Sequence, residues 1–277
     1  MISTAAKDEQ LAERPTDVWA YISPSRLNTW LRCGLAFKLR YVDGLRSPTS
    51  PSMFVGKIVH SRLEHFYRHR QLGIAVPTSD VVDGLEADWQ RLAVEDEMVF
   101  KSSDDEASLK QQASRLVTAY LQKLPDDEPR PLAVETTLEA PLIDPFSGED
   151  FGIPLLGVVD LVLSGDGPTV IDFKTAAKST GQVEITHEVQ LTSYAYLFRQ
   201  TAGREEGSLE IRSLVKTKTP KIECHRYAAR TDQHLRRFFE LVRAYLDDLD
   251  RGRFVYRPGW TCSMCEFRDS HCRSWQA

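Results

Sequence analysis

The sequence contains no apolar run near the about 18 residues that a membrane-spanning helix requires, so no bilayer crossing is expected. Its opening stretch, MISTAAKDEQLAERP, lacks the apolar core of a signal peptide, which points to a cytoplasmic protein. Disulfides are disfavoured in that compartment. A phosphate-binding loop of the form G-x-x-x-x-G-K-[ST] is missing, which excludes a nucleotide-driven motor. His65 and His69 stand one helical turn apart, but H-E-x-x-H is absent, so a zincin-type site is excluded and both are expected to be solvated. Internal repeats are absent. Positive charge is in deficit: 35 Lys and Arg against 40 Asp and Glu give a net charge of -5. That balance argues against a protein that coats nucleic acid nonspecifically, though not against a local basic cleft.

What is present is an ordinary globular composition over 277 residues, 42% hydrophobic and 27% charged. The length suits one large domain or two small ones. The most informative stretch reads PLLGVVDLVL, then SGDGP, then TVIDFKT. Two β-branched apolar runs flank a loop of turn-forming residues, which predicts a hairpin. With the loop at Ser164–Pro168 its midpoint is Asp166, and Asp160 and Asp172 lie equally far from it. The two carboxylates would then face each other with Cβ atoms about 5 Å apart. Lys174 would share their face while Ile171 and Phe173 point into the core. Like charges so placed need neutralising, which a divalent cation can do.

Around the hairpin the sequence predicts an α/β layer structure. Residues 1–19 read as a flexible N-terminal tail, and 20–277 as a single domain. Ser23 caps a helix that starts at Pro24, with Leu27, Trp30, Leu31 and Leu35 as its stripe and Cys33 inside it. A second helix is expected over about 53–70. Residues 78–123 read as helical with an acidic loop at 104–106, within a helical insertion of about 72–130. Strands are expected over about 131–142, 154–163 and 169–174, then a helix over 187–200. Two strands, SLEIRSLVKT and KIECHRYA, precede a helix over 232–250.

Three further groups carry chemistry. His60 lies one turn before Glu64 on the second helix, and as a lone histidine it reads as a surface residue. Gln190 and Tyr194 share one face of the helix after the hairpin. Cys262, Cys265 and Cys272 form C-x2-C-x6-C, a metal-ligand spacing, and Cys33 supplies a fourth thiol. Four thiolates suit a tetrahedral zinc or an iron-sulfur cluster. Cys224, on a predicted strand, reads as a buried free thiol. Arg26, Arg32, Lys38 and Arg40, and Lys216, Lys218 and Lys221, are basic clusters that could meet phosphates.

G-x-x-D at Gly157–Asp160 with D-x-K at Asp172–Lys174 resembles the core of the PD-(D/E)XK nuclease superfamily. G-x-x-x-H at Gly56–His60 and Q-x-x-x-Y at Gln190–Tyr194 resemble the RecB-like branch. The one-plus-three cysteines are similar to the iron-sulfur members, the AddB-type subunits and the CRISPR-associated RecB-like nucleases. The resemblance implies a restriction-endonuclease-like core, a mixed central sheet flanked by helices. It implies a [4Fe-4S] cluster on Cys33, Cys262, Cys265 and Cys272, joining residues 253–277 to the N-terminal segment; the x6 gap, longer than usual, makes Cys272 the odd ligand. It also implies Mg2+ or Mn2+ on His60, Asp160, Asp172 and the Phe173 carbonyl, with Lys174, Gln190 and Tyr194 completing the catalytic group and Glu64 a candidate neighbour. The activity implied is that of a DNA exonuclease acting on a free, single-stranded end in repair or recombination, without a membrane and with a helicase or repair partner. The rival is a non-catalytic DNA-end-binding or CRISPR-adaptation protein, for which Asp160, Asp172 and Lys174 would be needless.

Overall fold

A computed structural model describes residues 18–179 and 183–273; most of the expected N-terminal tail lies outside them. Five strands form one sheet in sequence order: β1 (Pro131–Ile143), β2 (Asp150–Leu163), β3 (Thr169–Ala176), β4 (Ser208–Val215) and β5 (Lys221–Ala228). β1, β2 and β3 pair antiparallel, β3 and β4 run parallel, and β5 returns antiparallel. The parallel step is bridged by helix α7 (Val183–Ala202). Every residue of β4 is buried, as expected for a strand covered on both faces.

Each face of the sheet carries its own core. On one side Leu27, Trp30, Leu191, Leu197, Phe238 and Val242 pack from α1 (Pro24–Arg32), α7 and α8 (Asp232–Asp250). On the other side lie α3 (Pro51–Gln71), α4 (Thr78–Asp83), α5 (Leu85–Glu95) and α6 (Ser103–Lys123), with Phe54, Ile58, Trp89, Leu116 and Tyr120 facing the sheet. The stretch expected as an insertion thus supplies part of one core. Burying an apolar side chain of this size contributes about 1.5–3 kcal/mol.

Two local expectations differ from the structure. The first helix stops before Cys33, which is extended (φ -165°, ψ 116°), and a short α2 (Gly34–Phe37) follows. The Arg257 guanidinium donates to the Trp30 and Leu31 carbonyls at 2.7 and 3.0 Å, taking the acceptors that a continuing helix would use. Residues 104–106 are not a loop but the first turn of α6, capped by Ser102, whose hydroxyl accepts from the Asp105 N–H. Three acids there complement the positive end of the helix dipole.

Candidate active site

Sequence symmetry and structure agree at the hairpin. β2 and β3 pair as Leu161↔Ile171, Val162↔Val170 and Leu163↔Thr169, so Asp160 and Asp172 stand one step beyond the last bonded pair. There the Asp160 side chain takes over from the ladder: its Oδ2 accepts the Phe173 N–H at 2.6 Å. Ile171 and Phe173 point into the core beneath, while Asp172 is 2% exposed and pairs with Lys174 Nζ at 2.5 Å.

The glycines of the two motifs have steric reasons. A Cβ on Gly56 would lie 2.8 Å from Thr175 Oγ1, so only glycine lets α3 settle on the end of β3. One helical turn later the same face carries His60 over the sheet. A Cβ on Gly157 would meet Leu197 Cδ1 at 2.8 Å and Tyr194 Cε1 at 3.2 Å. Its absence lets α7 lie against β2 and bring Tyr194 to the carboxylates.

His60 Nδ1 lies 3.8 Å from Asp160 Oδ1 and 3.8 Å from Glu135 Oε1. These three residues offer ligand atoms within 4.8 Å of one another, and no other such group of three occurs among the described residues. Both His60 separations fall inside the about 4.2 Å between opposite ligands of one magnesium ion. Two carboxylates and an imidazole fit a hard divalent cation, with the nitrogen favouring Mn2+. Glu135 is absent from the sequence-based ligand set. It stands on β1 with φ +42°, a left-handed conformation rare for a non-glycine residue. Strain of this kind gathers at functional sites. The one signal in the sequence is an acid inside an apolar strand, PLAVETTLEA.

The charges are unevenly settled. Burial lifts the Asp160 carboxyl to about 7, with Asp172 and Glu135 pushing the same way against His60 and Lys174. Burial alone would lower His60; Asp160 and Glu135, with Asp172, overcome it and raise the imidazole to about 9. In the absence of a cation, protons thus neutralise the cluster.

Gln190 Nε2 donates to Asp172 Oδ1 and to Tyr194 Oη, both at 2.8 Å, so the Q-x-x-x-Y pair meets the hairpin directly. Burial holds the Tyr194 phenol well above its ordinary value, so it stays protonated with its O–H free to donate. His187, three residues before Gln190, also faces this site; burial and then Lys174 keep its imidazole neutral-leaning. Asp172 stands outside the close trio, its oxygens held by Gln190 and Lys174. Phe173 is held by its N–H, and its ring lies 6.1 Å from that of His60. Glu64 is not part of the site; it pairs with Arg68 at 2.7 Å on the surface.

Cys33 and the three late cysteines, far apart along the chain, come together. Burial and the neighbouring Cys265, Cys33 and Cys262 thiols all raise the Cys272 thiol, which puts the four in one neighbourhood. The C-terminal segment is fastened there by Arg257 and by Arg40, which pairs with Glu266 at 2.8 Å. The donor set, four free thiols, suits a soft or thiophilic centre. Cys224 is a correction: it is exposed, not buried, because α6 ends at Lys123 and a cleft opens over β5 beyond Ile222. Arg26 is likewise no surface cation; it is buried, donating to the Val18 and Tyr21 carbonyls. Lys38 pairs with Asp43.

Carboxylates, an imidazole and a lysine thus gather at one hairpin, clasped between α3 and α7, in a donor set that can hold a divalent cation. The chain belongs to the PD-(D/E)XK nuclease superfamily, whose family model matches residues 21–273. Among solved structures it is similar to a putative exonuclease from Eubacterium rectale, at 15% identity and TM-score 0.58, covering 95% of this chain and 94% of that one. That likeness is one of fold. SSO0001 matches at 16% identity over 79% of this chain and 95% of that one, with a TM-score of 0.38. No curated protein matches the sequence. No helix among the described residues is long and apolar enough to cross a membrane.

Proposed function

We propose that this protein is a Mg2+- or Mn2+-dependent DNA exonuclease of the RecB-like, iron-sulfur type, acting on single-stranded ends. The observation that carries the reading is the trio His60, Glu135 and Asp160 beside the Asp172–Lys174 ion pair. His60, Glu135 and Asp160 would hold the cation, with Asp172 and the Phe173 carbonyl as further ligands. A bound divalent ion supplies a more acidic water and a counter-charge for the phosphoryl oxygens. Asp160 divides its labour: Oδ2 stays on the Phe173 N–H while Oδ1 faces His60. Lys174, released from Asp172 when that carboxylate finds another counter-charge, offers its ammonium to the negative charge that grows on the phosphate. Gln190 fixes Asp172, and Tyr194 has a proton to donate to the scissile strand.

Cys33, Cys262, Cys265 and Cys272 would hold a [4Fe-4S] cluster. Four free cysteine thiols are the donor set by which iron-sulfur clusters are held. The protein would work in the cytoplasm with a helicase or repair partner that presents DNA ends. Linear single strands, linear strands blocked at each end and closed circles, incubated with Mn2+, test the assignment. Degradation of linear DNA and survival of circles is expected; cleavage of circles at an equal rate would make it an endonuclease.

A further inference from the structure

A second feature lies at the carboxyl ends of β3 and β4, where open α/β sheets bind their ligands. A groove of about 140 Å³ runs between α6 and the β4–β5 turn. Its helical wall is Ser108, Gln111, Gln112 and Arg115, spaced i, i+3, i+4 and i+7 on one face of α6. Its other wall carries Lys216 and Lys218. Three cations, two amides and two hydroxyls, those of Ser108 and Thr217, line it, and no acid does. None of the three cations forms an ion pair among the described residues, in a protein of net charge -5 whose other arginines mostly do.

Lys216 is the fixed point of the groove. Its Nζ donates to Ser52 Oγ at 2.6 Å and to the Ser52 carbonyl at 3.2 Å, which aims it without neutralising it. Burial pulls the ammonium below its ordinary value, a cost that an anion would remove. Its backbone N–H bonds the Ala176 carbonyl at 2.7 Å, so it stands beside the end of β3, the strand that carries Lys174. From Lys174 to Ala176 is two residues, about 7 Å along the sheet. Amide, hydroxyl and cationic donors without acids are the chemistry of sequence-independent phosphate and sugar contact.

We infer that this groove is a phosphodiester-binding subsite that carries the DNA strand beyond the cleavage site, with Lys216, Lys218 and Arg115 on its phosphates. The inference rests on the nuclease reading above and gives its substrate a path. Because it concerns binding, cleavage is silenced to test it. Asp160→Asn keeps an acceptor for the Phe173 N–H and serves as the parent. Anisotropy of a fluorescent single strand is titrated at several salt concentrations with the parent, with Lys216→Ala/Lys218→Ala/Arg115→Gln added, and with a control pair, Lys101→Ala/Arg204→Ala. Circular dichroism confirms the fold of each.

The expected result is roughly ten-fold weaker binding by the triple variant, with a salt slope shallower by roughly 0.7 for each phosphate no longer neutralised. The control pair binds as the parent does. A triple variant that binds like its parent, at the same slope, overturns the groove and leaves the nuclease reading standing. An equal loss in the control pair also overturns it, since net charge alone would then explain the effect. A parent that binds no DNA sinks the nuclease reading, and the groove with it.

Discussion

Glu135 stands opposite Asp160 at the point where β1 and β2 both change phase. Val134↔Leu161 and Thr136↔Val159 flank the pair without a slip in register. Before it Ala133 faces the core under α7, and after it Leu138, Ala140 and Leu142 do, so the alternation has moved by one. On β2, Val162 and then Val159 face that core, while Leu161 faces the other. One extra residue per strand turns two carboxylates toward His60 without costing either core its pairing. The strain sits at Glu135, with φ +42°.

Glu135→Gly separates strain from function. Glycine adopts positive φ freely, and above about pH 9, where His60 is neutral, it also removes one like charge, so at that pH the metal-free variant should melt a few degrees higher than wild type, for about 1 kcal/mol relieved. Stabilisation by Mn2+ should fall by at least ten-fold in affinity. A lower melting point for the metal-free variant, or unchanged metal affinity, contradicts this account of the residue.

Protons and the cation compete at the same cluster. Folding raises His60 from 6.5 to about 9 and Asp160 from 3.8 to about 7. Both groups therefore hold their protons more tightly folded than unfolded. The stability from His60 is complete below 6.5 and lost as pH climbs to about 9, and that from Asp160 is complete below 3.8 and lost by about 7. Without metal, this site destabilises the fold as pH rises. Metal must displace the His60 proton, so its affinity climbs over the same range. Calorimetry should show a larger rise in Tm on adding Mn2+ at about pH 8.5 than at about pH 6. A rise independent of pH would show that His60 gives up no proton to the metal.

Gly56 and Thr175 should behave as a coupled pair. Gly56→Ala sets a methyl 2.8 Å from Thr175 Oγ1 and should push His60 off the site, with a loss of about 10–100-fold in metal-dependent cleavage. Thr175→Ala removes the atom that is struck, so the double variant should recover most of the loss. Additive losses in a double-mutant cycle would show that the glycine matters for another reason.

Purification without oxygen should give a brown protein absorbing near about 400 nm, with about four irons per chain. Cys33→Ser should lose the colour and expose the chain after Asp250 to proteolysis, because the proposed centre would join Arg257 in fastening that segment to α1. A colourless protein with one zinc per chain would replace the cluster with a zinc site.

The hairpin was legible in the sequence because a strand's period of two and a symmetric turn fix which side chains share a face. That Gln190 and Tyr194 share a helix face was legible from their spacing; that they meet the hairpin was implied only by the family resemblance. Glu135 was not: its place depends on a break in alternation, which a period-based reading treats as noise. The break at Cys33 was hidden because its cause, Arg257, lies 227 residues away from Trp30. Cys224 was misplaced because strand pattern does not reveal where a covering helix ends.

The Asp160–Lys174 hairpin is proposed to hydrolyse DNA with a bound divalent cation. The most direct test is the cleavage rate of an end-labelled single strand with Mn2+ by wild type, Asp160→Asn and Lys174→Ala. Wild type should degrade the strand, EDTA should abolish that degradation, and each variant should lose about 10²–10³-fold or more in rate. Equal, negligible cleavage by all three proteins, or undiminished cleavage by the variants, would contradict the proposal.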